Sequence, residues 1–113
     1  MLQKENRITR NKDFDRAFKT GQSFYGKILG IKAVKNDLKI TRLGILIGTK
    51  VSKKAVVRNH FKRQLREQIR QELPALKTGY DLVLIVLPLI LDKNFDELGN
   101  YLRKALKQLN LYK

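Results

Sequence analysis

Residues 79–88, GYDLVLIVLP, set the tightest limit on the fold. From Leu82 to Leu87 the chain is apolar at every position, and the run is bounded by Gly79 and Pro88. A strand with one wet face would alternate apolar and polar residues, and a surface helix would space its apolar residues three and four apart. A short, unbroken, branched run between turn residues is instead a strand buried on both faces. It predicts the centre of a sheet. The apolar stretch continues to Leu91, yet it is only about half as long as a bilayer-spanning helix, and Pro88 interrupts it. No segment is predicted to cross a membrane.

The remaining segments supply the layers around that strand. Asn11 is a suitable N-cap for a short helix, Asp13 suits its positive first turn, and Gly21 suits its C-terminal stop. Leu29, Ile31 and Ala33 alternate with Gly30 and Lys32, which predicts a strand ending at an Asn36-Asp37 turn. Leu43, Ile45 and Ile47 repeat the pattern, with Gly44 and Gly48 opposite, where a close neighbour would fit. A helix follows from about Lys53 to Leu73, and Pro74 ends it. Phe95, Leu98, Leu102, Ala105 and Leu109 form the apolar stripe of a last helix. Asp96 and Glu97 lie at its start and Lys104 and Lys107 near its end, as the helix dipole prefers. The expected class is α+β, in the order α-β-β-β-α-β-α. Residues 1–113 are expected to form one domain, with 1–10 a flexible basic arm.

Charge narrows the function. The 113 residues carry 25 Lys plus Arg against 10 Asp plus Glu, a net charge of +15. Self-repulsion at that charge opposes compaction, so a polyanionic partner is the natural explanation. Nucleic acid fits best; an anionic membrane surface and plain solubility are the rivals. There is no cysteine, hence no disulfide and no thiolate metal site. The opening MLQKENRITRNKDF lacks an apolar signal core, and a cytoplasmic location is expected.

The charge concentrates in AVVRNHFKRQLREQIR, residues 55–70. At about 100° per residue, Asn59, Lys62, Arg63, Arg66 and Arg70 share one face, while Phe61, Leu65 and Ile69 form the edge that must pack. The ridge is about 16 Å long at 1.5 Å per residue, the scale of several phosphates. A merely solvated helix would interleave acids at i,i+4; here only Glu67 is present, beside the ridge. Arginine's planar fork suits phosphate oxygens. A membrane-surface helix would need its apolar edge free, and the core requires Phe61, Leu65 and Ile69. His60, the only histidine, has no partners for a metal site or a catalytic set and is expected at the surface. Asp13 and Asp15 more simply balance a helix dipole. Phe14 and Phe18, four apart, face the same way, as core residues or as a ligand platform.

Taken together, these motifs resemble the protein subunit of bacterial ribonuclease P. Its hallmark helix carries Arg-Asn, then Lys-Arg, then Arg-Glu, here Arg58-Asn59, Lys62-Arg63 and Arg66-Glu67. ENRITRNKDFDRAFKTGQSF is similar to the family's opening, and GYDLVLIV to its late buried strand.

The resemblance implies a single-domain α/β sandwich of ribosomal-protein type with a left-handed β–α–β crossover around the basic helix. It implies that Arg58, Asn59, Lys62, Arg63 and Arg66 meet a catalytic RNA subunit, and Arg70 of the ridge, with Lys50, Lys53 and Lys54 in the preceding loop, is expected to join them. A cleft between the first helix and the sheet would hold the single-stranded 5′ leader of precursor tRNA on Phe14 and Phe18. Lys32 stands where many members place an aromatic, which would exchange stacking for a phosphate contact. The chemistry, endonucleolytic removal of the leader, would belong to the RNA and its Mg²⁺, with no catalytic residue, metal or cofactor on this chain and no obligate protein partner. The alternative is a small basic ribosomal RNA-binding protein.

Overall fold

The elements appear in the predicted order: α1 (Asn11–Thr20), β1 (Gln22–Tyr25), β2 (Leu29–Lys35), β3 (Arg42–Leu46), α2 (Ala55–Glu72), β4 (Tyr80–Val86) and α3 (Phe95–Gln108). In the computed structural model, which describes residues 2–113, they build one four-stranded sheet in the order β1-β2-β4-β3. The unbroken apolar strand β4 is inside the sheet, antiparallel to β2 and parallel to β3, with Ile31 and Ile45 both opposite Leu84. The β3–α2–β4 connection is therefore a crossover between parallel neighbours.

The two faces of the sheet are covered unequally. Leu29, Ile31, Leu82 and Leu84 pack against Phe61, Leu65 and Ile69 of α2 and Leu98, Leu102 and Leu106 of α3. This is the main core; it uses the apolar stripes the sequence predicts, with Leu106 added and Phe95 left at its margin. The other face carries a smaller cluster, in which Val83 meets Ala17 of α1 and Ile8, flanked by Phe14, Val34 and Ile85. Gly44 of β3 belongs to this face. A methyl group there would lie 2.5 Å from the Phe14 ring, so the missing side chain is what lets α1 seat. Gly48, expected to serve likewise, lies beyond β3 with open space around it.

Several local expectations change. Residues 2–10, expected as a flexible basic arm, rest on the sheet at several points. Leu2 and Ile8 are buried, and the Ile8 N–H donates to the Leu43 carbonyl at 2.9 Å. The arm thus covers part of the open edge of β3, which would otherwise present unpaired backbone groups. Asn11 is the first helical residue rather than the cap; Arg10 occupies that position without a side-chain cap bond. Gly21 ends α1 with an extended φ of −75°, not the left-handed turn. The apolar residues beyond β4 turn through a short 3-10 segment, Pro88–Asp92, that buries Ile90 and exposes Leu89 and Leu91.

Asp81, the polar residue at the head of β4, ties three elements together. Its fully buried carboxylate accepts from Arg42 Nε at 2.9 Å and Nη2 at 2.7 Å, from Arg16 Nη2 at 3.2 Å, and from Asn36 Nδ2 at 2.8 Å. Burial pushes this carboxyl up, but bonds from Arg42 and Asn36, with the charges of Arg42 and Arg16, outweigh it and hold it below the usual range. A depressed carboxylate stabilises the fold fully above its unfolded pKa, and that contribution is lost as pH falls through the lower folded value. Asp81→Asn should therefore cost about 2–3 kcal/mol at neutral pH, since it removes the buried charge that Arg16 and Arg42 share and leaves Arg42 only Asp13, at 3.4 Å. Thermal melts from pH 7 down to pH 2 check this: the gap between parent and variant should narrow only at the acid end.

Candidate nucleic-acid interface

The main core fixes which side of α2 is outside. With Phe61, Leu65 and Ile69 buried, Asn59, Lys62, Arg63 and Arg66 come together with Val56 around a shallow depression of about 450 Å³. No acid lines it. The first turn of α2 also contains no acid, and Lys53 and Lys54 stand just before it. That is the reverse of what the positive end of a helix dipole prefers, and a bound anion would relieve the repulsion.

The structure sorts the predicted cations. Arg70, expected on the ridge, is forked onto Glu67, with its Nε 2.9 Å from Oε2. The Arg70 bond and charge, offset in part by desolvation, hold the Glu67 carboxyl down at about 2, so the pair stays charged and mutually engaged. Arg58 curls back to donate to the Ser52 carbonyl at 2.9 Å, which fixes the loop ahead of α2. Lys50, Lys53 and Lys54 are exposed in or beside that loop. His60 is exposed and lies edge-on to Phe61. Among the described residues, no group of three or more His, Cys, Asp or Glu is placed to hold a metal ion, and no helix is long and apolar enough to cross a membrane.

One cation was not foreseen. Because the arm is docked, Arg7 lines a second hollow of about 310 Å³ with Leu2, Arg63, Arg66 and Glu67. Desolvation, followed by repulsion from Arg7, lowers the Arg66 pKa, and the Arg7 Nε is buried without a partner. This crowding adds positive charge beside the depression on α2, offset in part by the Glu67 carboxylate in the same hollow. No sequence periodicity links position 7 to position 66, so only the fold reveals it. A larger groove of about 830 Å³ runs past Arg7, Arg10, Lys12, Arg16 and Arg42; no predicted site residue lines it.

The two phenylalanines of α1 part company. Phe14 is half-buried against Ile8 and the bare backbone of Gly44, whereas Phe18 is 40% exposed. Lys32 lies on the same sheet face as α1, opposite Val83. Its ammonium donates to Ser23 Oγ at 2.6 Å and to the Tyr25 hydroxyl at 3.0 Å.

Against known proteins, residues 2–110 match the family model described as Ribonuclease P. The chain belongs to the ribonuclease P protein family. It is 40% identical over 107 residues to the ribonuclease P protein component of Pseudanabaena sp., covering 94% of this chain and 92% of that one. It is 38% identical over 110 residues to the component from Clostridium botulinum, covering 96% and 98%. The solved Staphylococcus aureus RNase P protein superposes with a TM-score of 0.87 at 28% identity, covering 96% of this chain and 98% of that one. The expected α+β class holds, with a four-stranded mixed sheet and three helices. The ribonuclease P reading is supported over that of a small ribosomal protein.

Proposed function

We propose that this chain is the protein subunit of a ribonuclease P ribonucleoprotein. It binds the catalytic RNA through α2 and the 5′ leader of precursor tRNA beside α1, and so assists removal of that leader. The observation that carries the first half is the acid-free depression of Asn59, Lys62, Arg63 and Arg66 on a helix whose opposite edge is locked in the core. Arg7, Lys53 and Lys54 extend it, giving about six cations for phosphates and a salt slope of log affinity near −4 to −5. Arg58 contributes by holding the loop, and Arg70 is tied to Glu67. The exposed ring of Phe18 and the Lys32 ammonium support the second half, since single strands are held by stacking and backbone charge.

The chemistry is assigned to the RNA subunit, with Mg²⁺ bound there. This chain supplies positive charge and position. RNA-free protein should leave precursor tRNA intact. Added to the catalytic RNA, it should lower the Mg²⁺ concentration needed for cleavage, because the net charge of +15 offsets phosphate repulsion. Cleavage assays across a Mg²⁺ titration, with and without protein, test both halves. Cleavage by protein rigorously freed of RNA would overturn the proposal.

A further inference from the structure

Tyr25 is 77% exposed, so burial contributes little to holding it. It is held all the same. The Lys32 ammonium lies 3.0 Å from its hydroxyl and 5.2 Å from its ring centroid. The strand register shows why. Ser23 pairs with Lys32, and Lys32 pairs with Val83, which lies under α1. Residues directly opposite share a face, and so do residues two apart along a strand. Tyr25 therefore stands on the α1 face of the sheet, diagonal to Lys32. Its own partner across the ladder is Gly30, which has no side chain to cover the ring. An aromatic ring is thus presented to solvent, already oriented, with a cation at its hydroxyl end.

We propose that Tyr25 and Lys32 form one nucleotide subsite for single-stranded RNA, the ring stacking on a base and the ammonium meeting the adjoining phosphate. Orientation in advance removes part of the ordering cost of binding, and an aromatic beside a cation is the general means of holding a strand without reading its sequence. The hydrogen bond and charge of Lys32 also lower the Tyr25 pKa, consistent with a hydroxyl engaged by a cation. Tyr25 thereby supplies, from the neighbouring strand, the ring that the family resemblance expects at position 32. The subsite rests on the leader-binding reading above and extends it to a named residue pair.

The test uses the holoenzyme reconstituted with the catalytic RNA. Precursor tRNAs with leaders lengthened one nucleotide at a time are compared with mature tRNA, for the parent, Tyr25→Ala, Tyr25→Phe, Lys32→Ala and Phe18→Ala. Tyr25→Ala should weaken precursor binding roughly 5- to 30-fold once the leader reaches the subsite. It should leave mature tRNA affinity and the melting temperature unchanged. Tyr25→Phe should keep most of the affinity, because it keeps the ring, and Lys32→Ala should reduce the salt dependence. If Tyr25→Ala binds every leader as tightly as the parent while Phe18→Ala does not, the subsite is wrong and the leader-binding reading stands. If the parent holoenzyme itself fails to favour precursor over mature tRNA, both fall.

Discussion

Phe14→Ala should lower the melting temperature by about 12 °C, while Phe18→Ala should leave it nearly unchanged. Phe14 fills the space above Gly44 and adjoins Ile8 in the smaller cluster. Emptying it costs transfer energy plus a cavity, about 3 kcal/mol for a half-buried ring. With an unfolding entropy of about 2.1 cal/mol/K per residue, that gives the shift stated. Phe18 is 40% exposed and has little packing to lose. Its loss should appear elsewhere, as a roughly 5- to 150-fold weaker affinity of the holoenzyme for leader-bearing substrate, the value of one stacked base. Mature tRNA should bind either variant about as the parent does, provided Phe14→Ala is assayed well below its melting point. Thermal melts beside the two affinities separate the roles. A Phe18→Ala protein that melts early and keeps its precursor preference would make that residue core as well.

Removing Lys62, Arg63 and Arg66 together should have the largest effect on RNA binding. If each meets a phosphate, replacing all three by Ala lowers the salt slope of log affinity by about 2.4. Extrapolated from 1 M to 0.1 M salt, the loss is roughly 250-fold, and it should shrink as salt rises. The fold should tolerate the change, because the three side chains lie around an open depression and removing like charges relieves repulsion. Arg70→Ala is the contrasting control: its charge is engaged by Glu67, so its effect should stay within about twofold. Titrations of the catalytic RNA at four or five salt concentrations measure both quantities. A flat salt response in the parent would remove the basis for the interface.

What the sequence could reveal depended on whether the signal was local. The core strand was legible because burial on both faces leaves no polar residue from Leu82 to Val86. The helices α2 and α3 were legible because each buries a regular stripe. The outward face of α2 followed from the inward one, and with it Asn59, Lys62, Arg63 and Arg66. The docking of residues 2–10 was not legible. It rests on Leu2 and Ile8, two isolated apolar residues in a basic segment, and on backbone bonding to β3. Arg7 was missed for the same reason. Arg70 shares the helical phase of the ridge, but phase alone does not say whether a cation turns outward or reaches a carboxylate three residues back. Spacing could not separate Phe14 from Phe18 either; the gap over Gly44 does so. The convergence of Arg16, Arg42 and Asn36 on Asp81 joins residues far apart in sequence and leaves no local pattern to read.

The place of β4 in the sheet also has a consequence for how the chain comes together. β2 and β3 are consecutive in sequence but do not bond to each other; each pairs with β4, which follows α2. The entropy of closing that long loop must be lost before either pairing is gained. On a ribosome, which delivers the chain from its N-terminus, α2 emerges before the strand that will complete the surface beneath Phe61, Leu65 and Ile69. Among the described residues, a nascent chain that has not reached Tyr80 has only the β1–β2 hairpin and the arm's bridge to β3 to form. The sheet is closed by a strand that arrives late, from the inside outward.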